Sequence, residues 1–255
     1  HLLLIEDYKG SLCIYRLRKA TDRVVLSLFL APMPFTEAAL IQALRRVNGF
    51  NHNDEGSFFV DEVNYDQIKD LGFLAVAQSD YDYLYDPKVY PELLGSGFSS
   101  LRRKIRKCDQ LQLTVADFTK EHTADAQRLL TAWRAQKRER EQPTYSYKYS
   151  KFFLEKWTDF PQSSIAGKAI FDGDQMVAFS MGGPLNTSIG AIFLTYADFN
   201  YPSLGHYLLY HQLLGMQNFT FVNHAGDRGL PGLITLKTGF QPVANKTSFA
   251  ISFST

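Results

Sequence analysis

Long apolar runs, a set of cysteines and an excess of charge of one sign are all missing from this chain, and each absence removes a class of protein. The longest apolar stretch, Val24 to Met33, is interrupted by Ser27 and Pro32. It falls well short of the ~20 residues a membrane-spanning helix needs, so no transmembrane segment is expected. Only Cys13 and Cys108 occur, without metal-ligand spacing and too few for a disulfide framework, which suits a reducing, cytoplasmic setting. The net charge of +1 generates no global field toward nucleic acid or an anionic membrane, so such a partner has to be held by a local patch. There is no Gly-x-Ser-x-Gly, and neither cysteine has a histidine beside it in sequence; nucleophilic catalysis is not expected. No internal repeat of fixed period is visible.

What is present is the stuff of a packed interior: 45% hydrophobic residues, including 20 Phe and 14 Tyr. A length of 255 residues fits two domains of roughly 100 to 150 residues each. The chain opens at His1 on an apolar run, which leads us to expect a segment upstream.

Periodicity predicts strands at Leu2 to Ile5, Ser11 to Arg16 and Val24 to Phe29, joined by turns at Lys9-Gly10 and Ala20-Thr21-Asp22, then a helix over Thr36 to Val47. A strand at Phe58 to Val60, a short helix at Tyr65 to Leu71 and an aromatic strand at Tyr81 to Leu84 follow. A second run begins with a strand at Leu111 to Val115 and a helix at Thr123 to Arg140, then strands at Ser164 to Phe171, Gln175 to Gly182 and Ser188 to Tyr196. It closes with a helix at Gly205 to Asn218, a strand at Thr220 to Asn223, a helix at Leu230 to Thr238 and a strand at Thr247 to Phe253. Asp172-Gly173-Asp174 is a hairpin signal.

Three features carry chemistry. Around Leu101 to Lys107, Leu101, Ile105 and Cys108 share one helical face while Arg102, Arg103, Lys104, Arg106 and Lys107 cover the rest. Such a face is either an ordinary solvated surface or an anion site. The aromatics Tyr145, Tyr147, Tyr149, Phe152 and Phe153 either stack on a nucleotide or cover a sheet, and covering is the commoner use. Pro202-Ser203-Leu204-Gly205-His206-Tyr207 opens a helix where a CoA-binding enzyme has a Gln/Arg-x-x-Gly-x-Gly/Ala loop whose N–H groups cradle pyrophosphate. Pro202 at the first position and the bulk of Tyr207 at the last argue against CoA.

The stretch Phe221 to Pro242, FVNHAGDRGLPGLITLKTGFQP, is the most informative. Its Gly226 and Gly229 suit positive φ, and Asp227 suits an Asx turn or N-cap. Asn223, Asp227, Gly229, Gly232, Leu233, Lys237 and Pro242 fall in step with Asn-x-x-x-Asp-x-Gly-x-x-Gly-Leu…Lys…Pro. That pattern resembles the C-terminal domain of phosphatidylglycerol lysyltransferases, and the Pro/Gly loop before Gly205 is similar to theirs. The resemblance implies an α/β (α+β) fold of two tandem GNAT-like acyltransferase domains, mixed sheets flanked by helices. A degenerate half would occupy 1–109 and the half with the active site 110–255. It implies an aminoacyltransferase that moves an aminoacyl group from charged tRNA to a lipid or small-molecule hydroxyl or amine, with no metal or organic cofactor. Peripheral membrane contact is compatible with a lipid acceptor; the oligomeric state is left open. Asp227 would accept the acceptor's proton or pair with the donor ammonium. Lys237 would neutralise a phosphate or the oxyanion, and Asn223 would orient the carbonyl or the turn. Arg102, Arg103 and Arg106 would meet tRNA phosphates, and His224, Gly229, Gly205 and Tyr207 would complete the substrate site.

Two departures qualify the donor and the acceptor. His224, Ala225 and Gly226 stand where lysyl-transferring relatives carry acidic residues and a basic one, and Ile234 replaces an arginine. An uncharged or small aminoacyl group is therefore expected. The family's membrane flippase region does not lie within these residues. An N-acyltransferase using acyl-CoA or a carrier-protein thioester, and a binding module without chemistry, are the alternatives.

Overall fold

The computed structural model describes every residue except 1, 20–21, 30, 53–55, 72–73, 78–81, 143, 145, 162–163 and 254–255. The turn expected at 20–22 and the residues Tyr81 and Tyr145 thus lie wholly or partly outside the described residues. The chain forms two compact units, 1–82 with 246–255, and 83–245. The basic stretch around Arg102 lies in the second.

In the first unit, β1 (Leu2–Tyr8), β2 (Ser11–Lys19) and β3 (Val24–Leu28) form an antiparallel meander. Its first turn has Lys9 and Gly10 both at positive φ, 52° and 84°, the geometry that matches the twist of paired strands. Helix α1 (Glu37–Asn51) starts at Thr36, whose hydroxyl accepts the Ala39 N–H at 3.2 Å. Ala39, Leu40, Ala43, Leu44 and Val47 form its buried stripe and join Tyr15, Leu26, Leu28, Phe58 and Ile251 in one core. A second sheet has β13 (Ser248–Phe253) between β4 (Gly56–Asp61) and β5 (Leu74–Ala77), with α2 (Glu62–Ile68) following β4. The last strand of the sequence therefore completes the first unit.

The second unit is built on a seven-stranded mixed sheet. Its strands are β6 (Asp82–Tyr85), β7 (Thr114–Asp117), β8 (Ala166–Asp172), β9 (Gln175–Pro184), β10 (Ile189–Ala197), β11 (Phe221–Asn223) and β12 (Ala244–Lys246). The spatial order is β12-β6-β11-β10-β9-β8-β7. At its centre β9 is buried from Met176 to Gly183, because its near-continuous apolar run meets helices on both faces. α3 (Ser99–Asp109) and α6 (Leu204–Leu214) supply Leu101, Ile105, Leu208 and Leu213 to the core of one face. α4 (Thr123–Glu139) and α5 (Tyr147–Lys156) supply Leu129, Leu130 and Leu154 to that of the other. Helix α7 (Pro231–Thr238) follows β11. The β8–β9 hairpin pairs Asp172 with Gln175 around Gly173 at φ 55°, as the Asp-Gly-Asp signal predicts. The strand predicted from Leu111 begins only at Thr114, and Leu111 sits in a turn.

Mixed sheets flanked by helices are what the sequence leads one to expect. Among the described residues no helix is long and apolar enough to cross a membrane.

Buried Asn51 completes β3 much as another strand would. Its side chain accepts the Leu26 N–H at 3.0 Å and donates to the Leu26 carbonyl at 2.8 Å. Asn51→Ala leaves both backbone groups unpaired and is expected to cost about 2 kcal/mol in urea unfolding; a loss below about 0.5 kcal/mol contradicts that role.

Candidate active site

Strands β10 and β11 run parallel but pair for only three residues, Ile189 with Phe221 through Ala191 with Asn223. Past that point β10 bulges at Phe193, between Ile192 and Leu194, and among the described residues continues beside β9 alone. Backbone groups alternate in direction along a strand, so every second N–H and C=O of the last half of β10 faces the notch that β11 leaves open. The chain after β11 continues as a turn from Asn223 to Gly229, whose His224 reaches Thr195 on β10.

Several bonds hold that turn. Asn223 Oδ1 accepts the Ala225 N–H at 2.6 Å. The β6 ladder extends into it, with the His224 N–H on the Tyr83 carbonyl at 3.0 Å and the Tyr83 N–H on the Ala225 carbonyl at 3.2 Å. Asp227 forms the expected Asx turn, accepting the Gly229 N–H at 2.7 Å, and its other oxygen accepts the Tyr83 hydroxyl. Gly229 has the expected positive φ of 66°, but Gly226 does not; Ala225 and Arg228 occupy the left-handed region instead, at 50° and 55°. The turn tolerates side chains there because it is over-determined from below.

What lies below is Lys237. Only 3% exposed, it donates to the carbonyls of His224, Ala225 and Gly226 at 2.5, 3.0 and 2.5 Å. Three ammonium protons meet three backbone acceptors, and the charge also lies over the Tyr83 ring, 5.4 Å from its centre. Asp227 is equally buried, 3% exposed. The roles the resemblance implies set both charges against substrate; both side chains lie inside, where buried charges persist only with such partners.

His224 carries the electrostatic consequence. Burial first, and the Lys237 charge second, push its pKa well below the usual imidazole value, so it is neutral at pH 7. Its Nε2 lies 3.4 Å from the Thr195 hydroxyl on β10, while Nδ1 is buried without a partner among the described residues.

The other expected site residues divide. On α3, Arg103 and Arg106 are exposed, but Arg102 is half-buried and donates to the carbonyls of Leu93 and Gly95 at 2.5 and 2.8 Å. Arg102 thus ties down the approach to the helix. Lys104 reaches His206 Nε2 at 2.6 Å, and His206 stacks on Phe240, just beyond Lys237. Burial and then Lys104 push the His206 pKa down to about 4. The basic helix, the start of α6 and the end of α7 therefore meet around His206. A Cβ on Gly205 would make only ordinary contact with Leu236, at 3.4 Å. Tyr207 is 6% exposed and packed in the core against His211, so its bulk does not block the loop as the sequence suggested. Against CoA there remains Pro202, which has no N–H to offer.

Sequence reasoning missed Tyr83, Thr195 and Phe193. Each sits inside a strand, where nothing in the local pattern sets it apart from an ordinary strand residue. Among the described residues no cluster of His, Cys, Asp or Glu is placed to hold a metal.

Comparison with known proteins gives this arrangement a family. Residues 10–251 match the model of the phosphatidylglycerol lysyltransferase C-terminal family, and the chain belongs to that family. No curated protein matches it. Among solved structures, a conserved protein of unknown function from Bacteroides thetaiotaomicron is similar at a TM-score of 0.81 and 15% identity, over 98% of this chain and 85% of that one. The C-terminal domain of a putative lysylphosphatidylglycerol synthetase from Agrobacterium fabrum follows at 0.68 and 12%, over 98% and 84%. A tandem GNAT protein from the clavulanic acid biosynthesis pathway gives 0.53 and 9%, over 97% and 81%. The fold is GNAT-like, and the family places the chain among acyl- and aminoacyltransferases.

His206, His211 and His224 all have lowered pKa values, chiefly through burial and then through Lys104, Lys168 and Lys237 respectively. Below about pH 6.5 the unfolded chain binds protons at these sites that the folded chain does not. Stability is thus expected to fall from pH 7 toward pH 4, where His206 begins to titrate in the fold. Urea midpoints across that range check this, and a flat profile contradicts it.

Proposed function

We propose that the protein transfers an aminoacyl group from charged tRNA to a hydroxyl or amine of a lipid or small molecule. The observation that carries this reading is the free edge of β10 beside a turn that Lys237 and Asp227 hold rigid. An aminoacyl ester is already activated, so an enzyme has mainly to align donor and acceptor and to stabilise the oxyanion. The ester carbonyl lies against the N–H groups of the β10 edge. The acceptor attacks its carbon, the C–O bond to the ribose breaks, and the acceptor's proton ends on the departing ribose oxygen. No metal or organic cofactor takes part. Lys237 and Asp227 act by fixing the turn, and Asn223 by shaping its first bend. His224, too weak a base at its lowered pKa, orients Thr195. The exposed cations of α3, Arg103, Arg106 and Lys107, meet the tRNA backbone. The two units correspond to two GNAT-like halves, the first without chemistry, and the setting is the cytoplasm.

Two measurements test this. Purified protein offered charged tRNAs and, separately, labelled acetyl-CoA is expected to consume only the tRNA ester; consumption of acetyl-CoA alone favours the N-acyltransferase reading. Replacing Arg103, Arg106 and Lys107 with Gln is expected to weaken tRNA binding and flatten its log–log salt slope by roughly two to three units, about one counterion per lost phosphate contact. An unchanged slope shows a merely solvated helix.

A further inference from the structure

Next to the bulge of β10 lies a slot of about 220 Å³ that no part of the transfer scheme above uses. The rings of Tyr149, Phe153, Phe160 and Phe193 form its sides, and Ile165, Pro184 and Ser164 close it. Phe153 is the hub, with ring centres 6.1 Å from Phe160 in a stacked arrangement, 6.0 Å from Phe193 and 6.3 Å from Tyr149. A Cβ on Gly183 would come within 2.1 Å of the Ser164 carbonyl oxygen. A glycine at that point of β9 is what lets the Ser164 backbone lie this close and shape the slot.

We propose that this slot takes the side chain of an apolar or aromatic aminoacyl donor. The inference rests on the aminoacyl-transfer reading and adds its substrate class. Three observations converge on it. Phe193 is the bulge residue itself, so the slot adjoins the strand edge where the carbonyl is held, and in an aminoacyl ester the side chain branches one bond from that carbonyl. Pockets for whole drug-sized ligands run to roughly 300–1,000 Å³, so a slot of about 220 Å³ fits one side chain and not a lipid tail with its headgroup. Finally, none of its described lining residues is charged, so a lysyl ammonium placed there meets no carboxylate, whereas an apolar or aromatic side chain meets four rings.

The test is a titration of the full chain with L-phenylalaninamide and with L-lysinamide, stable mimics of the two ester classes, followed by heteronuclear NMR. Phenylalaninamide is expected to bind at least about 10-fold more tightly than lysinamide and to shift the resonances of Phe153, Ser164 and Phe193. Phe160→Asp at the exposed rim, confirmed folded by circular dichroism, is expected to weaken phenylalaninamide by roughly 3- to 10-fold and to strengthen lysinamide. Lysinamide binding as tightly as phenylalaninamide, no binding of either, or displacement of phenylalaninamide by octyl glucoside, which marks a lipid-tail site, would overturn the proposal. The transfer reading fails separately: phenylalaninamide bound in the slot by a protein that consumes no charged tRNA refutes the tRNA donor and leaves the slot standing.

Discussion

One buried ammonium holds the second unit's functional end together. Lys237 gives its three protons to three consecutive carbonyls, those of His224, Ala225 and Gly226. A charge taken out of water is tolerated only when its protons are all received, and three acceptors in a row are available only if the backbone bends around the nitrogen. The turn and the lysine therefore define each other. The same bend lets Asp227 sit inside with the Tyr83 hydroxyl and the Gly229 N–H as donors, and lets Ala225 and Arg228 adopt a backbone geometry that side chains usually avoid.

The consequences run outward from there. A fixed positive charge beneath the turn helps keep His224 neutral. The carbonyl of Lys237 also accepts the Tyr85 hydroxyl at 3.2 Å, and that of Phe240 accepts the Tyr90 hydroxyl at 2.8 Å. Strand β6 and the segment after it are thus tied to the end of α7 by side chains as well as by the sheet. Since Phe240 stacks on His206, and His206 meets Lys104, the start of α6 and the basic helix α3 take their positions from the same region. In physical terms the family signature is a set of residues that fold one turn, and the chemistry we propose uses the strand edge this turn leaves uncovered.

Much of the fold was legible because burial leaves periodic marks. The stripe of α1, the amphipathic α3 and the long apolar β9 each announce themselves, and the Asp-Gly-Asp hairpin is a local code. Helix α5 was not legible: Tyr147, Tyr149, Phe152 and Phe153 read as an aromatic cluster, and aromatics favour helices weakly, so only packing against α4 decides the matter. Strand β5 is too short to show a period. The candidate turn was legible as a turn, and Asp227 as its Asx residue, but the burial of Asp227 and Lys237 was not. Burial depends on Tyr83, which is 144 residues from Asp227 in the chain, and no local pattern encodes such a meeting. The closing strand β13 was legible as a strand, while its place in the first unit's sheet was a matter of long-range pairing alone.

Amide hydrogen exchange at residues 224–229, compared between the wild type and Lys237→Met under conditions where both are folded, tests the central claim most directly. The account predicts that the wild-type amides bonded within this turn are protected to a degree approaching those of β9 and β10, and that the substitution removes protection in the turn while sparing both strands. Equal protection in the two proteins would show that the turn stands without its lysine, and would contradict the account.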